Sequence, residues 1–167
     1  MPSESEIQMN SNYKNLLSLF AEYRVRYLVV GGFAVMRYTE PRYTKDLDVW
    51  VDAAPENARK VYEALVAFGA PLRGYTPADF SETYSAFQIG VAPVRIDVLT
   101  SVAGVSFSRA WENRTSSRID GTTVHFLSKE DLIKSKRAAG RKQDLIDLDN
   151  LTPKEPQPPR KRRQPRK

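Results

Sequence analysis

Between Tyr27 and Val51 an apolar tetrapeptide runs into the pair Gly31-Gly32. A polar, basic connection follows, and then Asp46-Leu47-Asp48-Val49-Trp50-Val51 alternates carboxylates with apolar residues. Tyr27-Leu28-Val29-Val30 is short, rich in β-branched residues and bounded by glycine, which predicts a buried strand. The glycine pair lets the backbone turn sharply and approach a ligand with no Cβ in the way. A brief helix is predicted over 33–38, its free N–H groups and positive dipole end suited to a phosphate. Pro41 argues against its continuing further. The stretch from Asp46 to Val51 predicts a second strand. Side chains alternate along a strand, so Asp46 and Asp48 share one face, roughly 7 Å apart, where they can share a divalent cation. A lone Asp-x-Asp is usually a solvated face and a lone Gly-Gly usually a turn. Together, in this order, they point to chemistry.

The 167-residue chain suits one globular domain over 1–152, with 41% hydrophobic content supplying a core. There is no cysteine, which excludes a disulfide framework and any cysteine-based metal or nucleophile site. The polar, acidic start is wrong for a signal peptide, and no apolar run approaches the ~20 residues of a membrane span. A soluble, cytoplasmic protein with no membrane partner is expected. The net charge of +6 belongs to the end of the chain, where 153–167 carries seven Lys or Arg, one Glu and five prolines. That tail is expected to be disordered. Its Arg160-Lys161-Arg162-Arg163 cluster is either a nucleic-acid contact or a solubilising end.

Apolar spacing predicts a helix over 12–22, capped by Ser11 or Asn12, and another opening at Asp52-Ala53-Ala54-Pro55 and closing at Gly69. A loop follows over 73–85, whose Tyr75, Phe80 and Tyr84 suit packing beneath it better than a base pocket. Strands are predicted over 86–89 and 94–99 around Gly90-Val91-Ala92-Pro93. In the second, Arg95 and Asp97 share a face opposite Ile96 and Val98. A carboxylate inside an apolar strand is costly if unpaired. Either a cation shared with Asp46 and Asp48, or Arg95 as an ion-pair mate, would compensate it. A short helix over 107–113 and a strand over 122–127 come next. His125, the only histidine, reads as a surface residue of an edge-like strand. Ser128 opens a helix to Ala139 in a capping-box-like pattern, with Gly140 as its stop. A last helix over 142–151 is expected to bury Leu145, Leu148 and Leu151. Lys134, Lys136, Arg137, Arg141 and Lys142 around these two helices are numerous enough to hold a triphosphate, or to form ordinary solvated faces.

Gly31-Gly32, the later Thr44-Lys45-Asp46-Leu47-Asp48 and a third carboxylate, Asp97, on its own strand resemble the signature of the nucleotidyltransferase superfamily, with its polymerase-beta-like fold. The closing Ser128-Lys129-Glu130-Asp131-Leu132, Lys136, Gly140-Arg141 and Asp144-Leu145 is similar to the ending of minimal bacterial members related to the AbiEii toxin group. The resemblance covers about 24–151. It implies an α/β (α+β) fold: a small mixed sheet flanked by helices, with C-terminal helices. It also implies transfer of a nucleoside monophosphate from an NTP to a hydroxyl, with two Mg²⁺ ions (Mn²⁺ as a substitute) held by Asp46, Asp48 and Asp97. Asp97 would also accept the hydroxyl proton. Gly31 and Gly32 would let N–H groups reach the phosphates, and Lys45 and Lys136 would contact them. Arg141 and Asp144 either act on substrate or hold the last two helices together. The implied acceptor is an RNA or tRNA 3′ end, a protein or a small molecule. The implied partner is a cognate antitoxin, if the chain is a toxin. The rival reading keeps the fold as a non-catalytic module that binds nucleic acid or a partner protein.

Overall fold

The structure, a computed structural model, describes residues 7–40, 46–91 and 93–152. Lys45 and the basic 153–167 tail lie outside the described residues. The elements are α1 (Ser11–Glu22), β1 (Tyr27–Val30), α2 (Gly31–Tyr38), β2 (Asp46–Val51), α3 (Pro55–Phe68), β3 (Ala86–Val91), β4 (Val94–Leu99), α4 (Phe107–Glu112), β5 (Thr115–Ile119), β6 (Thr122–Phe126), α5 (Lys129–Ala139) and α6 (Lys142–Leu151). Six strands make one mixed sheet in the order β3-β4-β2-β1-β6-β5, the mixed α/β architecture expected.

The centre of that sheet sets the site. β1 runs antiparallel to β2 with Val30 opposite Asp48, and β2 runs parallel to β4 with Asp48 opposite Asp97 and Asp46 opposite Arg95. All four residues of β1 are buried, so both faces of the sheet are covered there. On β2, Leu47, Val49 and Val51 are fully buried while Asp46 and Asp48 are only half-buried. The alternation read from the sequence is the one the strand adopts. Tyr13, Leu16, Leu17 and Phe20 of α1 face the core; burying each Leu or Phe stabilises by about 1.5–3 kcal/mol. Helix α3 begins with Pro55 in its first turn, and Gly69 ends it in the left-handed conformation.

Several expectations need correction. Asn10, not Ser11 or Asn12, caps α1, accepting from the N–H of Asn12 at 2.7 Å. The 73–85 loop contains a 3-10 turn, Pro77–Ser81, held by reciprocal Thr76–Asp79 hydrogen bonds. Phe80 packs on Phe87 at 4.4 Å between ring centroids, whereas Tyr84 is 90% exposed. β6 is not an edge strand, because β5 pairs along its full length. The segment Thr-Ser-Ser-Arg-Ile has no apolar run to announce β5. His125 is therefore half-buried, its Nδ1 within 2.7 Å of Ser116 Oγ. In α6 the buried positions are Asp144, Asp147 and Leu151, while Leu145 is 55% exposed. No helix among the described residues is long and apolar enough to cross a membrane.

Candidate active site

Asp48 stands at the middle of the carboxylate face. On one side β1 ends and turns through Gly31, whose φ is +67°. A Cβ built on Gly31 would overlap the Asp48 carboxylate and stand 3.0 Å from its Cγ. The glycine therefore serves both a left-handed turn and a close approach. That turn opens α2, so the helix starts beside the carboxylate. Gly32, half-buried, is its second residue. On the other side of β2, Asp97 is Asp48's register partner.

Burial, the charge of Asp97, a hydrogen bond shared with Asp97 and the charge of Asp46 push the Asp48 pKa up to about 7; Lys136 works weakly in the opposite sense. Such a carboxyl group is short of positive charge. Some is supplied by Arg95, whose Nε donates to Asp97 Oδ1 at 3.3 Å. Arg95 is thus an ion-pair mate of Asp97. Among the described residues, no three carboxylate or imidazole groups stand close enough together to hold a metal ion as placed. The donor chemistry nonetheless fits Mg²⁺. The set is carboxylate oxygen alone, with no thiolate, and Asp48 is a group that a nearby cation would relieve.

Residues 8–152 match the family model described as a nucleotidyltransferase of unknown function (DUF6036). The chain belongs to this nucleotidyltransferase family. Similar solved structures carry the same fold. The lincosamide antibiotic adenylyltransferase LnuA, lincomycin-bound, is 18% identical with a TM-score of 0.56; the match covers 86% of this chain and 96% of that one. The antibiotic-resistance factor ANT(2'')-Ia is 14% identical with a TM-score of 0.56, over 84% of this chain and 80% of that one. A Thermotoga maritima protein put forward as a nucleotidyltransferase is 15% identical with a TM-score of 0.55, over 82% and 88%. No curated protein matches the sequence.

The C-terminal helices of this nucleotidyltransferase bring a cation toward the carboxylates. Lys136 of α5 is 8% exposed, with Nζ 3.0 Å from both Asp144 Oδ1 and Asp147 Oδ2 of α6. Arg141 Nε donates to Asp144 Oδ2 at 2.8 Å. Burial works to raise the Asp144 pKa, but hydrogen bonds from Arg141 and Lys136 outweigh it and hold the group below the usual carboxylate range. Lys136, through Asp144 and Asp147, ties α5 to α6, while Arg141 pairs with Asp144 within the first turn of α6. The sequence reading missed Asp147 and treated Arg95 only as an alternative. Asp147 falls three residues after Asp144, and that spacing beside Lys136 was the available signal. His125 is remote from the carboxylates. It lines a cleft of about 280 Å³ with Tyr27 and Trp111, at the opposite end of β1 from Gly31. Burial, and then the charge of Arg114, lower its pKa.

Proposed function

We propose that the chain transfers a nucleoside monophosphate from an NTP to a hydroxyl acceptor, with Asp46, Asp48 and Asp97 as the Mg²⁺ ligands. The observation that carries this reading is Gly31 held against Asp48. It sets the first turn of a helix, with its unpaired N–H groups, beside paired carboxylates. Bound Mg²⁺ would supply charge neutralisation of the triphosphate and of the departing pyrophosphate. The acceptor oxygen attacks the α-phosphorus, the bond to the β-phosphate bridging oxygen breaks, and pyrophosphate leaves with that electron pair. Asp97 accepts the hydroxyl proton. N–H groups at Gly31 and Gly32 orient the phosphates, and Lys45 contacts them. Lys136, held by two carboxylates, acts on the phosphates through its field more than by direct reach.

Neighbours named for antibiotic adenylylation make a small-molecule hydroxyl the first acceptor class to test, with ATP as the first donor. Transfer to RNA or protein is what a toxin with a cognate antitoxin would perform. Incubation with each α-³²P NTP and Mg²⁺, against aminoglycoside, lincosamide, RNA and protein acceptors, separates these outcomes. The expected result is label on one acceptor class, absent with Asp46→Ala/Asp48→Ala. No transfer from any NTP, in a protein that still binds RNA or a protein partner, would favour the non-catalytic module.

A further inference from the structure

Arg95 occupies an unusual position for a cation. It lies across the β2–β4 register from Asp46 and two residues before Asp97 on the same strand face. Its backbone is fixed: the N–H donates to Tyr13 Oη at 3.2 Å, and β3 pairs alongside at Gly90. Its side chain is not fixed to the same degree. It remains 39% exposed and meets Asp97 through Nε at 3.3 Å, a long contact that uses one of the five guanidinium donors. A divalent cation binding Asp97 would compete with Arg95 for the same oxygens. A displaced guanidinium, anchored at a fixed backbone point beside the carboxylates, presents a planar fork that matches phosphate oxygens.

We propose that Arg95 is a phosphate-contacting residue held in reserve on Asp97. When Asp97 turns to a divalent cation, the guanidinium passes from the carboxylate to the triphosphate. This inference rests on the reading of the site as nucleotide-transferring. It accounts for a cation placed among carboxylates whose proposed ligand is itself a cation. As a fixed mate of Asp97, Arg95 would instead leave phosphate binding untouched when replaced.

The test uses the full chain and two probes, Mn²⁺ alone and then inorganic tripolyphosphate at saturating Mn²⁺. Free Mn²⁺ is followed by electron paramagnetic resonance, and tripolyphosphate binding by calorimetry. Arg95→Gln is expected to bind Mn²⁺ about fivefold more tightly, the upper worth of an exposed ion pair. It should bind tripolyphosphate roughly tenfold more weakly, the loss of one charge-assisted contact. Arg95→Lys, which keeps the charge without the fork, should fall between in both. It carries the same two readings if Arg95→Gln does not fold. Wild-type affinity for either probe in the Gln variant (or in the Lys variant, where it stands in) overturns the inference. Asp48→Asn separates this from failure of the underlying reading. If it binds Mn²⁺ as well as wild type does, the carboxylate site itself is wrong and Arg95's role falls with it.

Discussion

At Gly31 the backbone takes a φ of +67°, and the space a side chain would need already holds the Asp48 carboxylate. Gly74 also has a positive φ, +88°, but nothing lies within 4 Å of a Cβ built there. The pair separates two costs. Gly74→Ala should lose only the left-handed penalty, about 1 kcal/mol. Gly31→Ala carries that penalty and must also displace Asp48, so roughly 2–4 kcal/mol is expected. Urea denaturation of both variants checks this, and equal losses would show that Asp48 moves aside freely. The requirement for glycine after an apolar strand was legible in the sequence. The reason for it was not, because the opposing carboxylate lies on another strand.

Between elements, the α5–α6 junction is held by charge as much as by apolar contact. Lys136 has a side chain only 10% exposed, against 2% and 1% for Asp144 and Asp147. Replacing it with Met removes the ammonium between two buried carboxylates, leaving Asp144 to Arg141 and Asp147 to Gln143, and removing one side of a buried ion pair typically costs 3–5 kcal/mol. We expect Lys136→Met to lose roughly 3 kcal/mol in chemical denaturation. Asp147→Asn should lose less, since Lys136 keeps Asp144 and Asp144 keeps Arg141. A neutral Lys136→Met would mean that α6 is held by Leu151 and its apolar neighbours alone. This junction also shows why the face of α6 was misread. Hydrophobic periodicity chose Leu145 and Leu148 because it assumes an apolar partner. Here the partner surface offers an ammonium, so aspartates turn inward and Leu145 faces out. β1, β2 and β4 were legible because short apolar runs bounded by glycine or alternating with carboxylates leave few other readings. β5, all polar until Ile119, was not.

For the molecule as a whole, the buried phenol of Tyr27 sets an alkaline limit. Burial pushes its pKa up to about 12 from 10.0, with the hydrogen bond from the His125 N–H opposing the shift. A raised folded-state pKa means that the folded protein holds the proton longer than the unfolded chain. Its contribution is therefore complete below about pH 10 and is lost as pH rises through about 12. A rise from 10.0 to about 12 corresponds to about 3 kcal/mol. Stability measured across that window should fall in the wild type more steeply than in Tyr27→Phe. Parallel curves would show that the phenol ionises without unfolding the core.

The sheet order also fixes when each part of the protein can come into being. Strands β1, β2 and β4 meet through contacts within Tyr27–Leu99, whereas β1 gains its other neighbour only through Val29 opposite Phe126. That late pairing is the long loop closure that slows folding. On a ribosome, Asp46, Asp48 and Asp97 have all been synthesised before β6, and before α5 brings Lys136. The nascent chain must hold its cluster of negative charge together before Lys136 is made, and Arg95, emerging two residues ahead of Asp97, is a cation at hand during that interval.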